Sequence, residues 1–183
     1  MSKYTNNIGI WYFKDNDYSK AIEYYDKSLA IKEELSDTRN IGKTLNNLGE
    51  VYFDMGDFTN SIDMFNRSIV IKEKLNDTKG QVSSFFNRGK TFFFDQNYEN
   101  AVNDFRMSAH LADFEPNTQK SNRFIGMAHF YQANYDSSIS YLEESYEYYS
   151  DDSRRQLSVL PFLIISYNKI NNTKKSEKAL QDF

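Results

Sequence analysis

Apolar and polar positions follow a helical period along the chain, interrupted by short polar breaks. In LNNLGEVYFDMGDF, residues 45–58, Leu45, Leu48, Val51 and Tyr52 fall at the three- and four-residue spacings of one helix face. The polar run DMGD follows, and then a second amphipathic stretch with Ser61, Phe65 and Ser68 on one face. The same order recurs with the break KDND before Ala21, Tyr25 and Ser28, and with DQN before Ala101, Phe105 and Ser108. A fourth copy has QAN before Ser138, Leu142 and Ser145. Small residues at fixed helical offsets with a large one between them predict two helices packed at close range. The pattern predicts ten helices in five antiparallel pairs, and no strands.

Self-similarity fixes the register. Gly9, Gly49 and Gly89 lie 40 residues apart and Gly126 follows after 37, while a weaker fifth copy puts Ile164 at that position. An interior glycine costs a helix about 1 kcal/mol relative to alanine, so its recurrence needs a reason. A phosphate-binding loop would need a preceding strand and further glycines, and neither is present. The remaining reading is close helix–helix approach. Repeat boundaries are expected near residues 40, 80, 118 and 153, where TRN, TKG, EPNTQ and DDS interrupt the apolar period. The units are then 1–40, 41–80, 81–118, 119–153 and an incomplete 154–183, forming one array. Pro116 suits a linker, whereas Pro161 falls inside a helix and is expected to kink or delay it.

The order Leu, Gly, Tyr, then Ala, then an aromatic resembles the tetratricopeptide repeat. That resemblance covers essentially the whole chain. It implies an all-α, right-handed superhelical solenoid of antiparallel helix pairs, with ligands taken in the concave groove lined by the first helix of each pair. The 40-residue period exceeds the usual length of about 34, because the second helix runs on through AIKEELSDTRN and VIKEKLNDTKG. Units of this longer kind resemble those of kinesin light chains and of arrays in bacterial signalling proteins. No proline closes the first two copies.

Composition narrows the function. Aromatics make up 16% of the 183 residues, too many for a disordered chain, yet the mean hydropathy of −0.73 is low and suits a thin core with much surface. A net charge of −4 gives no footprint for nucleic acid or anionic membrane. No apolar run approaches the roughly 18 residues that span a bilayer. With no Cys there is no thiolate chemistry, and a cytoplasmic location is the default expectation. No HExxH, P-loop, GxSxG or cysteine nucleophile occurs, so neither an enzyme nor a cofactor is expected. His129 replaces the aromatic that other copies carry, which points to packing rather than chemistry.

The expected function is a non-enzymatic protein–protein interaction module that binds a peptide or partner helix. The candidate contacts recur with the repeat. Asn7, Asn47 and Asn87 stand two residues before their glycines, an amide ladder able to donate to and accept from an extended peptide backbone. Asn46 and Arg123 lie one position earlier in their copies, and Lys43 lies near a helix start. Lys90 adds charge beside Glu50 and Asp54. Phe53 belongs to a row with Phe13, Phe93 and Phe130, for which packing between helices is the alternative. The chaperone-tail clamp of this family is only partly matched, by Asn47, with Asn6 where its lysine would stand. Two rival readings remain: a scaffold that self-associates through uncapped terminal helices, or the sensory region of a larger bacterial signalling protein. The first of these expects Leu160, Leu163, Tyr167, Leu180 and Phe183 to be exposed on the last copy.

Overall fold

The computed structural model describes residues 2–113, 115–149 and 153–182. Among them are ten α-helices and no strand: α1 (Ser2–Lys14), α2 (Tyr18–Glu34), α3 (Thr38–Asp54), α4 (Phe58–Lys74), α5 (Thr78–Phe94), α6 (Tyr98–Leu111), α7 (Glu115–Tyr131), α8 (Tyr135–Tyr148), α9 (Ser153–Lys169) and α10 (Thr173–Asp182). The chain divides into two compact units, Met1–Asp95 and Gln96–Phe183. In the first, α1 packs on α2 and α3 on α4, the first helices α1, α3 and α5 touch in sequence, and α2 and α4 fill the spaces behind them. In the second, α7–α8 and α9–α10 form the pairs, and α6 packs on α7.

The period has a simple origin. Helices α3 and α4 are 17 residues each, and each is followed by a three-residue connection, which completes a 40-residue unit. Helix α6 has only 14 residues, one turn fewer, which accounts for the 37-residue step to Gly126. Seven of the connections place one residue in the left-handed region: Asn16, Ser36, Gly56, Asn76, Gln96, Ala133 and Asn171 all have positive φ. An Asp or Asn follows each of them and caps the next helix. The side chains of Asp17, Asp37, Asp57, Asp77, Asn97 and Asn134 accept from the backbone N–H three residues on. Because Asp37 and Asp77 are caps, TRN and TKG are the first turns of α3 and α5 rather than breaks. Pro116 likewise sits in the first turn of α7, where its missing N–H costs nothing. Pro161 lies in the interior of α9, which continues through it.

Packing explains the glycines. A Cβ on Gly49 would stand 2.7 Å from the Phe65 ring, one on Gly9 2.8 Å from Tyr25, and one on Gly126 2.6 Å from Leu142. Within α3–α4 the serines complete the contact, since Ser61 Oγ donates to the Gly49 carbonyl at 2.9 Å and Ser68 Oγ to that of Gly42 at 2.7 Å. Buried hydroxyls are thereby satisfied while the backbones stay close.

The last pair departs from the expected exposure. Leu160, Leu163 and Tyr167 are buried in a core cluster with Ile139, Leu142 and Ala179. Helices α8 and α10 cover α9 from both sides, and the Tyr167 hydroxyl donates to Glu143 Oε1 at 2.6 Å. Leu180 is exposed as expected, and Phe183 lies outside the described residues.

Candidate functional site

In the first unit, α3 and α5 lie side by side and bring one group of polar and aromatic side chains together. Its centre is Glu50. Asn46 Nδ2, four residues earlier on α3, donates to Glu50 Oε1 at 2.8 Å, and Asn87 Nδ2 on α5 donates to the same oxygen at 2.7 Å. Burial raises the Glu50 carboxyl above its ordinary range, against the lowering effect of the two amides and of Lys90. Lys90 itself lies over the Phe53 ring, 4.5 Å from its centroid. Phe53 packs edge-on against Phe94 at 5.4 Å and tilts against Phe58 at 6.1 Å. Five expected or neighbouring residues, Asn46, Glu50, Phe53, Asn87 and Lys90, thus form one half-buried patch.

The three ladder asparagines occupy different environments. Asn7 is exposed, Asn47 is half-buried and hydrogen-bonds the Tyr25 hydroxyl, and Asn87 is committed to Glu50. Asn46 is buried, and its amide oxygen accepts from Ser84 Oγ at 2.8 Å and from Lys72 Nζ at 3.5 Å. Lys43 is exposed near the start of α3. Arg123, in the second unit, lies over the Phe124 ring at 5.6 Å and donates to Ser158 Oγ at 3.4 Å. Phe130 packs edge-on against Phe162 at 5.1 Å, a packing contact of the Phe row. His129 is half-buried and stacks on Tyr141 at 5.9 Å, with burial lowering its imidazole pKa.

Two lysines escaped the sequence reading. Lys32 and Lys72, 40 residues apart, are 4% and 5% exposed. Lys72 Nζ donates to Ser84 Oγ at 2.6 Å, while Lys32 Nζ donates to Thr44 Oγ1 and to Asn6 Oδ1, the latter at 3.2 Å. Each ammonium therefore ties the end of one helix pair to the first helix of the next. The signal was present: Ala21, Tyr25, Ser28 and Lys32 continue one buried stripe at spacings of four, three and four. Among the described residues no cluster of His, Cys, Asp or Glu could hold a metal ion. No described helix is long and apolar enough to cross a membrane.

Comparisons with known proteins agree with this architecture. Family profiles described as tetratricopeptide repeat match residues 2–35 and 40–112. No curated protein sequence matches the chain at a significant level. Among solved structures, the apo form of RapI superposes with a TM-score of 0.90 at 17% identity, covering 98% of this chain and 68% of that one. The MamA protein superposes with a TM-score of 0.78 at 18% identity, covering 99% and 88%. The TPR-like repeats of a kinesin light chain from Podosopora anserina reach 0.79 at 12% identity, covering 98% and 92%. At such identities the likeness is one of fold.

Proposed function

Because the chain belongs to the tetratricopeptide repeat family, we propose that it is a non-enzymatic protein–protein interaction module that takes an extended peptide or a partner helix on its first helices. The observation that carries this reading is the patch around Glu50, where amides, a carboxylate, a lysine and an aromatic ring converge on adjacent helices. Asn7, Asn47 and Asn87 offer amides to a backbone, and Lys43, Lys90, Phe53 and Arg123 offer charge and ring faces to side chains. Asn46 is buried, so its part is to hold Glu50 in place. Calorimetry with a partner recovered by pull-down tests the reading. An Asn7/Asn47/Asn87 triple alanine variant should bind at least tenfold more weakly, as expected for lost buried hydrogen bonds of about 1–3 kcal/mol. Lys27→Ala is the control, since Lys27 is exposed and meets Glu23 and the Tyr24 ring on its own helix, away from the first helices. Equal affinity of the triple variant and the native chain would refute the groove reading.

A second reading, association between copies, is favoured by one face of α1. Tyr4, Ile8 and Trp11 lie at i, i+4 and i+7 and are exposed. The equivalent residues of α3, namely Thr44, Leu48 and Val51, are buried in the stack.

A further inference from the structure

The Lys32 and Lys72 networks are copies of one design, and they differ at one position that matters. In the second copy, Asn46 Oδ1 receives Ser84 and Lys72, and Asn46 Nδ2 donates to Glu50. A carboxylate therefore completes the group. In the first copy, Asn6 Oδ1 receives Thr44 at 3.0 Å and Lys32 at 3.2 Å. The position equivalent to Glu50 is Ile10, and Asn6 Nδ2 has no acceptor among the described residues.

The consequence is a donor surface without an anion. Lys32 Nζ has three N–H groups, and the described residues offer two acceptors, both neutral. Lys32, Asn6 and Asn40 line a cleft of about 420 Å3 together with Lys3, Lys43 and Asp37. Neither Lys3 nor Lys43 forms an ion pair among the described residues. The one carboxylate present, Asp37, is occupied as a helix cap: it accepts from Asn40 Nδ2 at 2.7 Å and from Asn40 N at 3.4 Å. Three lysines against one committed carboxylate leave the cleft with a surplus of positive charge. Burying an ammonium with no carboxylate bonded to it is costly, and Lys32 accordingly has its pKa lowered, chiefly by burial, with Asp37 acting in the opposite sense.

We propose that this cleft is an oxyanion-binding site, in which a carboxylate or phosphate group received by Lys3, Lys32, Lys43 and Asn6 supplies the charge that Glu50 supplies one repeat later. It would bind such a group whether free or carried on a partner, and it is independent of the ladder of asparagines. The second copy could not serve in the same way. There the residues equivalent to Asn40 and Lys43 are Gly80 and Ser83, and Glu50 already engages the amide.

The test is a titration of the full chain, followed by backbone and side-chain amide NMR at constant ionic strength maintained with sodium chloride. One arm uses inorganic phosphate, the other N-acetylglycine, whose carboxylate is that of a peptide end. Saturable shifts at Asn6, Asn40 and Lys43 are expected in at least one arm, and the arm that saturates names the group. Lys43→Gln should weaken binding about tenfold, the effect of one lost charged hydrogen bond, and Lys27→Gln should leave it unchanged. Ile10→Glu, which installs an internal carboxylate, should abolish saturation, whereas Ile10→Gln should retain it. Linear shifts in both arms, or saturation that Lys43→Gln and Ile10→Glu both leave untouched, would overturn the proposal.

Discussion

Phe65 lies across Gly49 so closely that a single added carbon on the glycine would stand 2.7 Å from the ring. Real side chains do not sustain that separation, so a substitution must displace the buried Phe65 ring or the helix that carries it. Overpacking of this kind costs about 1–3 kcal/mol, which outweighs the roughly 1 kcal/mol that alanine gains over glycine in helix propensity. Gly49→Ala should lower stability by up to about 2 kcal/mol, and Gly49→Leu should disrupt the first unit severely. A double-mutant cycle checks the cause. In a Phe65→Ala background the Gly49→Ala penalty should vanish, because the ring that created it is gone. Unchanged thermal melting of Gly49→Leu by circular dichroism would exclude the contact as the reason for the glycine.

The buried lysines give the protein a defined alkaline response. Burial lowers the Lys72 pKa from 10.5 to about 8. In the unfolded chain the amine keeps its ordinary value, so between these pH values the unfolded state binds more protons. Stability must then rise with pH across that interval. Tyr25 acts in the opposite sense at higher pH, since burial pushes it from 10.0 to about 12 and the unfolded phenol ionises first. The window free of that effect is roughly pH 8 to 9.5. Urea midpoints should rise through it, and Lys72→Met should flatten the rise. A native profile that falls from pH 8 to 9.5 would show that Lys72 stays charged in the fold.

Backbone strain is concentrated in the connections. Ala133 sits at φ 57°, where a Cβ is disfavoured, whereas Gly56 occupies the corresponding place at φ 77° with open space around it. Ala133→Gly should therefore stabilise the second unit by about 0.5–1 kcal/mol, the strain relief exceeding the added unfolded-state entropy. Gly56→Ala should cost a similar amount. Chemical denaturation of both variants decides the matter, and a destabilised Ala133→Gly would locate the strain elsewhere.

The fold was legible because each repeat states it separately. Gly49 alone was ambiguous, but Gly9, Gly49 and Gly126 at equivalent positions pointed to close approach, and each contacts a large side chain of the paired helix. The polar breaks were also readable, although the capping role of Asp37 and Asp77 makes TRN and TKG the first turns of helices rather than breaks. The candidate site was less accessible. Sequence spacing set Asn7, Asn47 and Asn87 in one row, but their partners come from other helices: Tyr25 for Asn47 and Glu50 for Asn87. Glu50 was legible only as a charge beside Lys90, and Lys72 not at all, because a long polar side chain gives no hint of its burial. Only the register of Ser68 and Lys72 on one helix stripe could have revealed the second.

Trp11 offers a direct test of association between copies. It is the only tryptophan in the chain and is 60% exposed, with Tyr4 at 76% and Ile8 at 38% on the same helix face. In α3 the corresponding Leu48 and Val51 are packed against Ala21 and Tyr25 of α2. A helix pair presenting small and aromatic residues in the manner of α2 therefore fits the α1 face. Leu180 on α10 is exposed at the position where Tyr25, Phe65 and Leu142 are buried, so a second copy can supply such an edge. If copies associate in this way, Trp11 emission should shift to the blue with increasing protein concentration, in step with a rise in sedimentation coefficient. Trp11→Glu should abolish the mass increase, and Leu180→Glu should do the same from the other side. Arg67→Glu, on an exposed face of α4, should leave it intact. A chain that sediments as a monomer at high concentration, with Trp11 emission unchanged, would rule out association through this face.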